Sequence, residues 1–210
     1  MNNSELNFSE VMYMYAERFV SEAGLLQNKE ELPNRNKVSV SKLGNLLSEA
    51  SFAYLFKNNF IELRIEKTKT LGFIPVTKVI SSKKSIHPEN LTSIESRIFD
   101  LSDDLDTHSI MYRLIGDECA VPWGVITQIV KSSLVNKGIL NEEKIVKKIL
   151  VEFITYRYHL NQEKGSLPET KYEELKSYLE EFSKNDFHKL LIKSINSGIS
   201  AQIERPDNDD

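Results

Sequence analysis

Apolar residues recur with helical spacing over most of the chain. From Phe8 they fall at Val11, Met12, Tyr15, Phe19, Val20 and Ala23, a stripe that predicts a helix stopping at Gly24. The segment 25–37 is polar, with Pro33 and three asparagines, and reads as a loop. In 41–57, Leu43, Leu46, Leu47, Ala50, Ala53 and Tyr54 form one face, and Phe52, Leu55 and Phe56 extend it around the circumference. A helix apolar nearly all round belongs in the middle of a bundle. The period then changes to two. Ile61, Leu63 and Ile65 alternate with Glu62, Arg64 and Glu66, which predicts a half-buried strand over 60–66. Residues 67–72 read as the turn. Residues 73–80 read as the returning strand, with Pro75 marking an edge because it cannot donate to a ladder.

The second half repeats the helical pattern. Asn90 is placed to cap a helix with Leu91, Ile94, Ile98 and Leu101 inward, after a basic connector at 81–88. Asp106 or Thr107 caps a short helix carrying Ile110, Met111, Leu114 and Ile115, ended by Gly116. Pro122 opens the helix on which the chain is organised, with Val125, Ile126, Ile129, Val130 and Leu134 inward and Gly138 as its stop. An apolar, β-branched stretch to Tyr158 follows, the outline of a helix feeding a wing over 139–158. A polar break at 161–168 precedes helices over 170–182 and from Asn185 or Asp186 to Ile199. The pattern predicts a mainly α, single-domain helical bundle at 8–200, with a protruding β-hairpin and a winged-helix-like β-ribbon. Residues 1–7 and 203–210 read as flexible termini, the acidic tail setting in from Gln202.

Composition narrows the function. The net charge is −4, against a dedicated nucleic-acid binder, whose affinity rests on phosphate neutralisation. The lone cysteine, Cys119, excludes an intramolecular disulfide and fits a reducing compartment. No apolar run approaches the roughly 20 residues of a bilayer span, and the first residues lack the pattern of a signal peptide. The expected location is cytoplasmic, with peripheral membrane contact.

No catalytic motif is present, and the chain reads as a non-enzyme without cofactor or metal. The histidines, His87, His108, His159 and His188, include no pair at i, i+3 or i+4. The acidic run Asp100, Asp103, Asp104 and Asp106 lacks the glycine and terminal glutamate of a calcium loop, and reads as capping plus a solvated face. His108 beside it is read as a donor to that run.

The order of elements resembles the Golgi phosphoprotein 3 family. Three runs carry the resemblance: LLSEASFAYLFKNNFIEL at Leu46–Leu63, SSLVNKGIL at Ser132–Leu140, and the passage from YRYHLNQ through YEELKSYLEEF to DFHKLLIKSINSGI. The resemblance covers roughly Phe8 to Ile199 and lies in element order more than in residue identity. It implies a helical body with a protruding hairpin. Family members in eukaryotes bind phosphatidylinositol 4-phosphate through a tryptophan and several arginines. The positions answering to these are Ser39, Ser48, Gly124 and Thr127, so no headgroup ligand is carried across. Trp123, beside Gly124, is a candidate pocket neighbour.

The hairpin tip is the leading candidate site. Lys67 and Lys69 stand before Leu71, Phe73 and Ile74, a basic–apolar group suited to an anionic phospholipid surface, a protein partner or a second copy of the chain. Burying the three apolar side chains contributes at most ~4–8 kcal/mol. Each lysine facing anionic lipid, among Lys67, Lys69, Lys78, Lys83 and Lys84, adds roughly 1 kcal/mol. The alternative is a winged-helix-like regulator that binds protein or DNA, with Lys131, Lys137, Lys144, Lys147 and Lys148 as its basic residues. Its central helix offers Gln128 and Lys131 but no arginine to reach base edges, so nucleic acid is the less favoured partner.

Overall fold

A computed structural model describes residues 6–24, 27–70, 74–86, 88, 91–117, 119–148, 152–163 and 169–203. The elements run α1 (Phe8–Met14), α2 (Ala16–Phe19), β1 (Lys29–Glu31), β2 (Lys37–Ser39), α3 (Val40–Lys57), β3 (Ile61–Thr70), β4 (Ile74–Lys83), α4 (Ser93–Leu101), β5 (Leu105–Asp106), α5 (Thr107–Ile115), α6 (Pro122–Asn136), β6 (Leu140–Lys148), β7 (Glu152–Leu160), α7 (Glu169–Phe182) and α8 (His188–Ser200). Helices take about half of the described residues, and the antiparallel ribbons do not close into a barrel, so the mainly α, single-domain reading holds.

α3 is the central helix of the body and touches α1, α4, α6, α7 and α8. Its all-round apolar pattern is the cause, and Leu43, Leu47, Phe52 and Leu55 are fully buried. The hydroxyls of Ser48 and Ser51 turn back onto the carbonyls of Gly44 and Leu47 at 2.9 Å each, which satisfies them inside the core. Gly44 lets α6 approach closely. A Cβ there would stand 2.8 Å from the Trp123 Cβ. The indole Nε1 of Trp123 donates to Asn45 Oδ1 at 3.0 Å.

The helix signals act where the sequence places them. Asp106 accepts the Ser109 N–H at 3.1 Å and caps α5, and Gly116 ends it at φ 83°. Pro122 is the first residue of α6. Gly138, at φ 69°, turns the chain into β6, and Ile139 and Leu140 are buried at that corner. The wing follows as a two-stranded ribbon with Leu140↔Leu160 at its base.

Several expectations are corrected. The first helix breaks at Tyr15 and ends at Phe19, because Tyr15 and Phe19 turn to Tyr172 of α7, each with ring centroids 5.3 Å apart. The segment read as a loop at 25–37 holds the β1–β2 hairpin, with Glu30↔Val38 in register and Arg35 at φ 74° in the turn. Strands of three residues are too short to display a period. The long hairpin reaches further than the alternation suggests, to Thr70↔Ile74, because Lys67-Thr68-Lys69-Thr70 is polar on both faces. Pro75 faces Lys69 on a stretch where β4 has only β3 beside it, while at its foot β4 is the central strand of β3-β4-β5. The fourth helix starts at Ser93 behind Thr92, with Leu91 buried ahead of it, and Asn90 lies outside the described residues. Both termini are tied in further than expected. Asn7 is buried, and Gln202 donates to the carbonyls of Tyr112 and Gly116 at 2.9 and 2.6 Å, closing the end of α5.

Close helix contacts make glycine substitutions sharply unequal. A Cβ on Gly198 of α8 would stand 2.4 Å from the His108 carbonyl oxygen of α5, whereas one on Gly124 meets nothing nearer than Val121 Cγ1 at 3.6 Å. Gly198→Ala is expected to lose roughly 1–3 kcal/mol from overpacking. Gly124→Ala is expected to gain up to about 1 kcal/mol from helix propensity. Urea unfolding checks both, as opposite shifts of midpoint at constant slope.

Candidate functional site

The distal half of the β3–β4 hairpin stands clear of the body. Leu63, Val79, Ile80 and Ser81 are buried at its foot. Beyond Ile65↔Val79 the ladder continues from Glu66↔Lys78 to Thr70↔Ile74. The described side chains on that stretch are exposed or half-buried. At about 3.4 Å per residue, that stretch is roughly 17 Å long. The foot is clamped by the acidic run. Arg64 Nη2 pairs with Asp104 at 3.0 Å, Lys78 with Asp106 at 3.4 Å, and Ser81 Oγ donates to Ser102 Oγ at 2.8 Å. The Ser82 hydroxyl and then Arg64 hold the Asp104 carboxyl below its ordinary range.

Of the residues singled out at the tip, Lys67 and Lys69 are exposed and have no acidic partner among the described residues. Ile74 is 44% exposed. Leu71 and Phe73 lie outside the described residues. The distal stretch from Glu66 to Lys78 carries three lysines against one glutamate, in a chain of net charge −4. Trp123 stands apart from this site, half-buried against α3. Ser39, Ser48 and Thr127 are buried, and their hydroxyls bond internally to Ser41 Oγ, the Gly44 carbonyl and the Gly124 carbonyl.

A second arrangement, not foreseen from the sequence, lies where α1, α4 and α6 meet. The fully buried Glu10 carboxylate accepts four donors: Asn7 N–H at 2.9 Å, Ser133 Oγ at 2.6 Å, Lys137 Nζ at 2.6 Å and Thr92 Oγ1 at 3.3 Å. Beside it the fully buried Glu95 accepts the Ser9 N–H at 3.0 Å and the Ser9 hydroxyl at 2.8 Å. Burial, and then the neighbouring Glu10, push the Glu95 carboxyl up to about 7. Each glutamate is the third residue of its helix, behind Asn7 and Thr92. Asn-x-x-Glu and Thr-x-x-Glu are the spacings of a capping box, and that was the available signal. Thr92, Ser133 and Lys137 also line a groove between α4 and α6.

The wing and central helix form a third region. Gln128 Nε2 donates to the Tyr158 hydroxyl at 2.9 Å, and that hydroxyl donates to Glu142 at 2.7 Å. Burial, together with the Glu142 carboxylate, pushes the Tyr158 hydroxyl up to about 12. Lys131 Nζ bonds Glu30 at 2.9 Å and sits 4.7 Å from the Tyr158 ring centroid. The two α6 side chains considered for base reading are therefore engaged within the protein. Further out on the wing, Val146, Ile154 and Tyr156 are exposed on one face.

The described histidines take separate partners. His108 bonds Ser197 Oγ at 3.0 Å rather than the acidic run, His159 bonds Glu143 at 2.8 Å, and His188 bonds Glu49 at 2.8 Å. His87 lies outside the described residues. Among the described residues no cluster of three histidine, cysteine, aspartate or glutamate side chains is placed to hold a metal ion. Among them, too, no helix is long and apolar enough to cross a membrane. Comparison with protein-family models, curated proteins and solved structures returns no similar protein.

The raised Glu95 carboxyl sets a stability profile. Below pH 4.5 the group is protonated folded and unfolded alike. Between 4.5 and about 7 the folded chain holds the proton that the unfolded chain has released, so stability falls as pH rises. Above 7 the loss is complete, on the order of 3 kcal/mol. Glu95→Gln, which keeps the neutral shape, is expected to remove that component and to raise the urea midpoint at pH 8 more than at pH 5. Equal shifts at both pH values would contradict it.

Proposed function

We propose that the chain is a non-enzymatic adaptor that docks peripherally on an anionic phospholipid surface through the β3–β4 hairpin. One observation carries the reading: an exposed or half-buried stretch of ladder about 17 Å long that carries Lys67 and Lys69, without an acidic partner among the described residues, beside exposed Ile74. The resemblance to the Golgi phosphoprotein 3 family supports the same assignment. The buried Ser39, Ser48 and Thr127 argue that recognition rests on charge and apolar contact rather than on a phosphoinositide pocket.

Magnitudes shape the proposal. Two free lysines supply roughly 2 kcal/mol against anionic lipid, and burying Ile74 adds about 1.5–3 kcal/mol. The sum, near 4 kcal/mol, corresponds to a millimolar contact. A single hairpin therefore holds reversibly, and firm docking calls for several hairpins acting together. A homo-oligomer, with hairpins presented side by side, meets that need.

The second reading is a winged-helix-like regulator that binds a protein partner through the wing. Exposed Val146, Ile154 and Tyr156 favour it. Its DNA-reading form has less support, because Gln128 and Lys131 are occupied by Tyr158 and Glu30.

Co-sedimentation with vesicles of phosphatidylcholine, with and without phosphatidylserine, tests the proposal over a salt series. Binding is expected only with the anionic lipid and is expected to fall steeply between 50 and 300 mM salt. The double substitution Lys67→Glu/Lys69→Glu is expected to abolish it, and Ile74→Glu to weaken it about tenfold or more. No binding at low salt, or binding that survives the double substitution, would remove the hairpin from membrane docking.

A further inference from the structure

The open groove between α4 and α6 has a volume of about 880 Å³. Along α6, Val121, Gly124, Val125, Gln128 and Ile129 line its first half, with the Gln128 amide engaged by Tyr158, and Ser132 and Asn136 line its second. From Val125 to Asn136 the helix rises roughly 16 Å. The start of α4 lies beside the second half, because Thr92 and Ser133 donate to the same oxygen of Glu10. Ser93 therefore joins the polar end, and Ser96 and Arg97 stand within the next turn of α4 on the same wall.

The polar end contains groups that the fold leaves unused. The charged side chains lining the groove are Arg97 and Lys137. Lys137 is committed to Glu10. Arg97 is exposed and has no acidic partner among the described residues. The Ser93 hydroxyl oxygen is buried with no hydrogen-bond partner. Ser93 also has φ 61°, a conformation a non-glycine residue rarely adopts, so its placement at the groove wall is held by its surroundings. An exposed guanidinium with no acidic partner among the described residues, on a wall that also holds the unpartnered Ser93 hydroxyl, and a hydrocarbon lining toward the start of α6 complement an amphiphile with a negative head.

We propose that this groove binds an amphiphilic anion, a single carboxylate or phosphate head on a hydrocarbon chain. The head lies at Ser93, Ser96 and Arg97, and the chain lies along Val125 and Ile129. The site is separate from the hairpin, and of the four positions answering to the family's headgroup ligands only Gly124, a residue without a side chain to bind a head, is among its described lining residues.

Three probes separate the components: octyl phosphate below its micelle threshold, inorganic phosphate, and octan-1-ol. Each is titrated into the ¹⁵N-labelled full chain while backbone amide shifts are followed. Octyl phosphate is expected to move amides of α4 and α6 saturably, at least tenfold tighter than either other probe. Arg97→Glu and Ile129→Glu are each expected to weaken it tenfold or more, with the urea midpoint of Arg97→Glu unchanged. Lys67→Glu/Lys69→Glu is expected to leave it as it was, so failure here and failure of hairpin docking are distinguishable. Vesicles containing phosphatidic acid form the last arm. Shifts of the same amides with vesicles, retained in the double lysine variant, identify a bilayer lipid as the source. Shifts confined to dispersed octyl phosphate identify a free amphiphile. Equal affinity for inorganic phosphate or octanol, full binding by Arg97→Glu, shifts centred elsewhere, or no shifts at all would each overturn the proposal.

Discussion

The body depends on a carboxylate that has no access to water. Glu10 is fully buried, and its four donors come from the start of α1, from Thr92 ahead of α4, and from Ser133 and Lys137 at the end of α6. Such a pair adds little net stability, because removing two charges from water offsets most of their attraction. Losing one partner is another matter, at about 3–5 kcal/mol, since the other charge stays buried. The arrangement therefore acts mainly on alignment. A slip of one residue in α1, α4 or α6 would leave an unsatisfied charge in the core. Once α6 is fixed, Gly138 sets the direction of the wing, and the α4–α6 groove has its walls.

Glu95 makes the same junction sensitive to charge. Two carboxylates and one ammonium share the space, so one carboxyl resists ionising. Its hydrogen bonds to Ser9 serve either state, because the hydroxyl of Ser9 can turn from donor to acceptor. The contact between α1 and α4 thus survives a proton's arrival, while its energy changes.

What the sequence made legible follows from the range of the forces involved. Helices with a periodic apolar face, the Asp106 cap, Pro122 and Gly138 act within a few residues, and each appears where expected. Partners distant in sequence were not legible. Tyr15 and Phe19 extend an apolar stripe, yet they serve α7, some 150 residues on, and the helix breaks between them. The β1–β2 hairpin was hidden because its strands are short and its outward residues, Lys29 and Glu31, carry charge. His108 was misassigned because the acidic run is near in sequence while Ser197 is near in space. At the hairpin the charge pattern was legible, but the length of the ladder was not, because lysine and threonine alternate without an apolar side.

The two ribbons show how attachment decides what a surface can do. The wing is tied down by Tyr158, which bonds Gln128 and Glu142 and lies under Lys131, so its inner half belongs to the core. Among the described residues the long hairpin is secured at its foot, by Arg64, Ser81, Lys78 and Lys83, whose Nζ donates to the Asp100 carbonyl. On the body its foot pairs with Asp104 and Asp106, and among the described residues Lys67 and Lys69 have no acidic partner. In a chain of net charge −4 that separation leaves these lysines on the exposed distal ladder. An exposed lysine without an acidic partner adds little stability at such a position. The same reasoning applies to Arg97 beside the groove. Lys67, Lys69 and Arg97 have no acidic partner among the described residues, and on that shared feature docking on anions is proposed at both places.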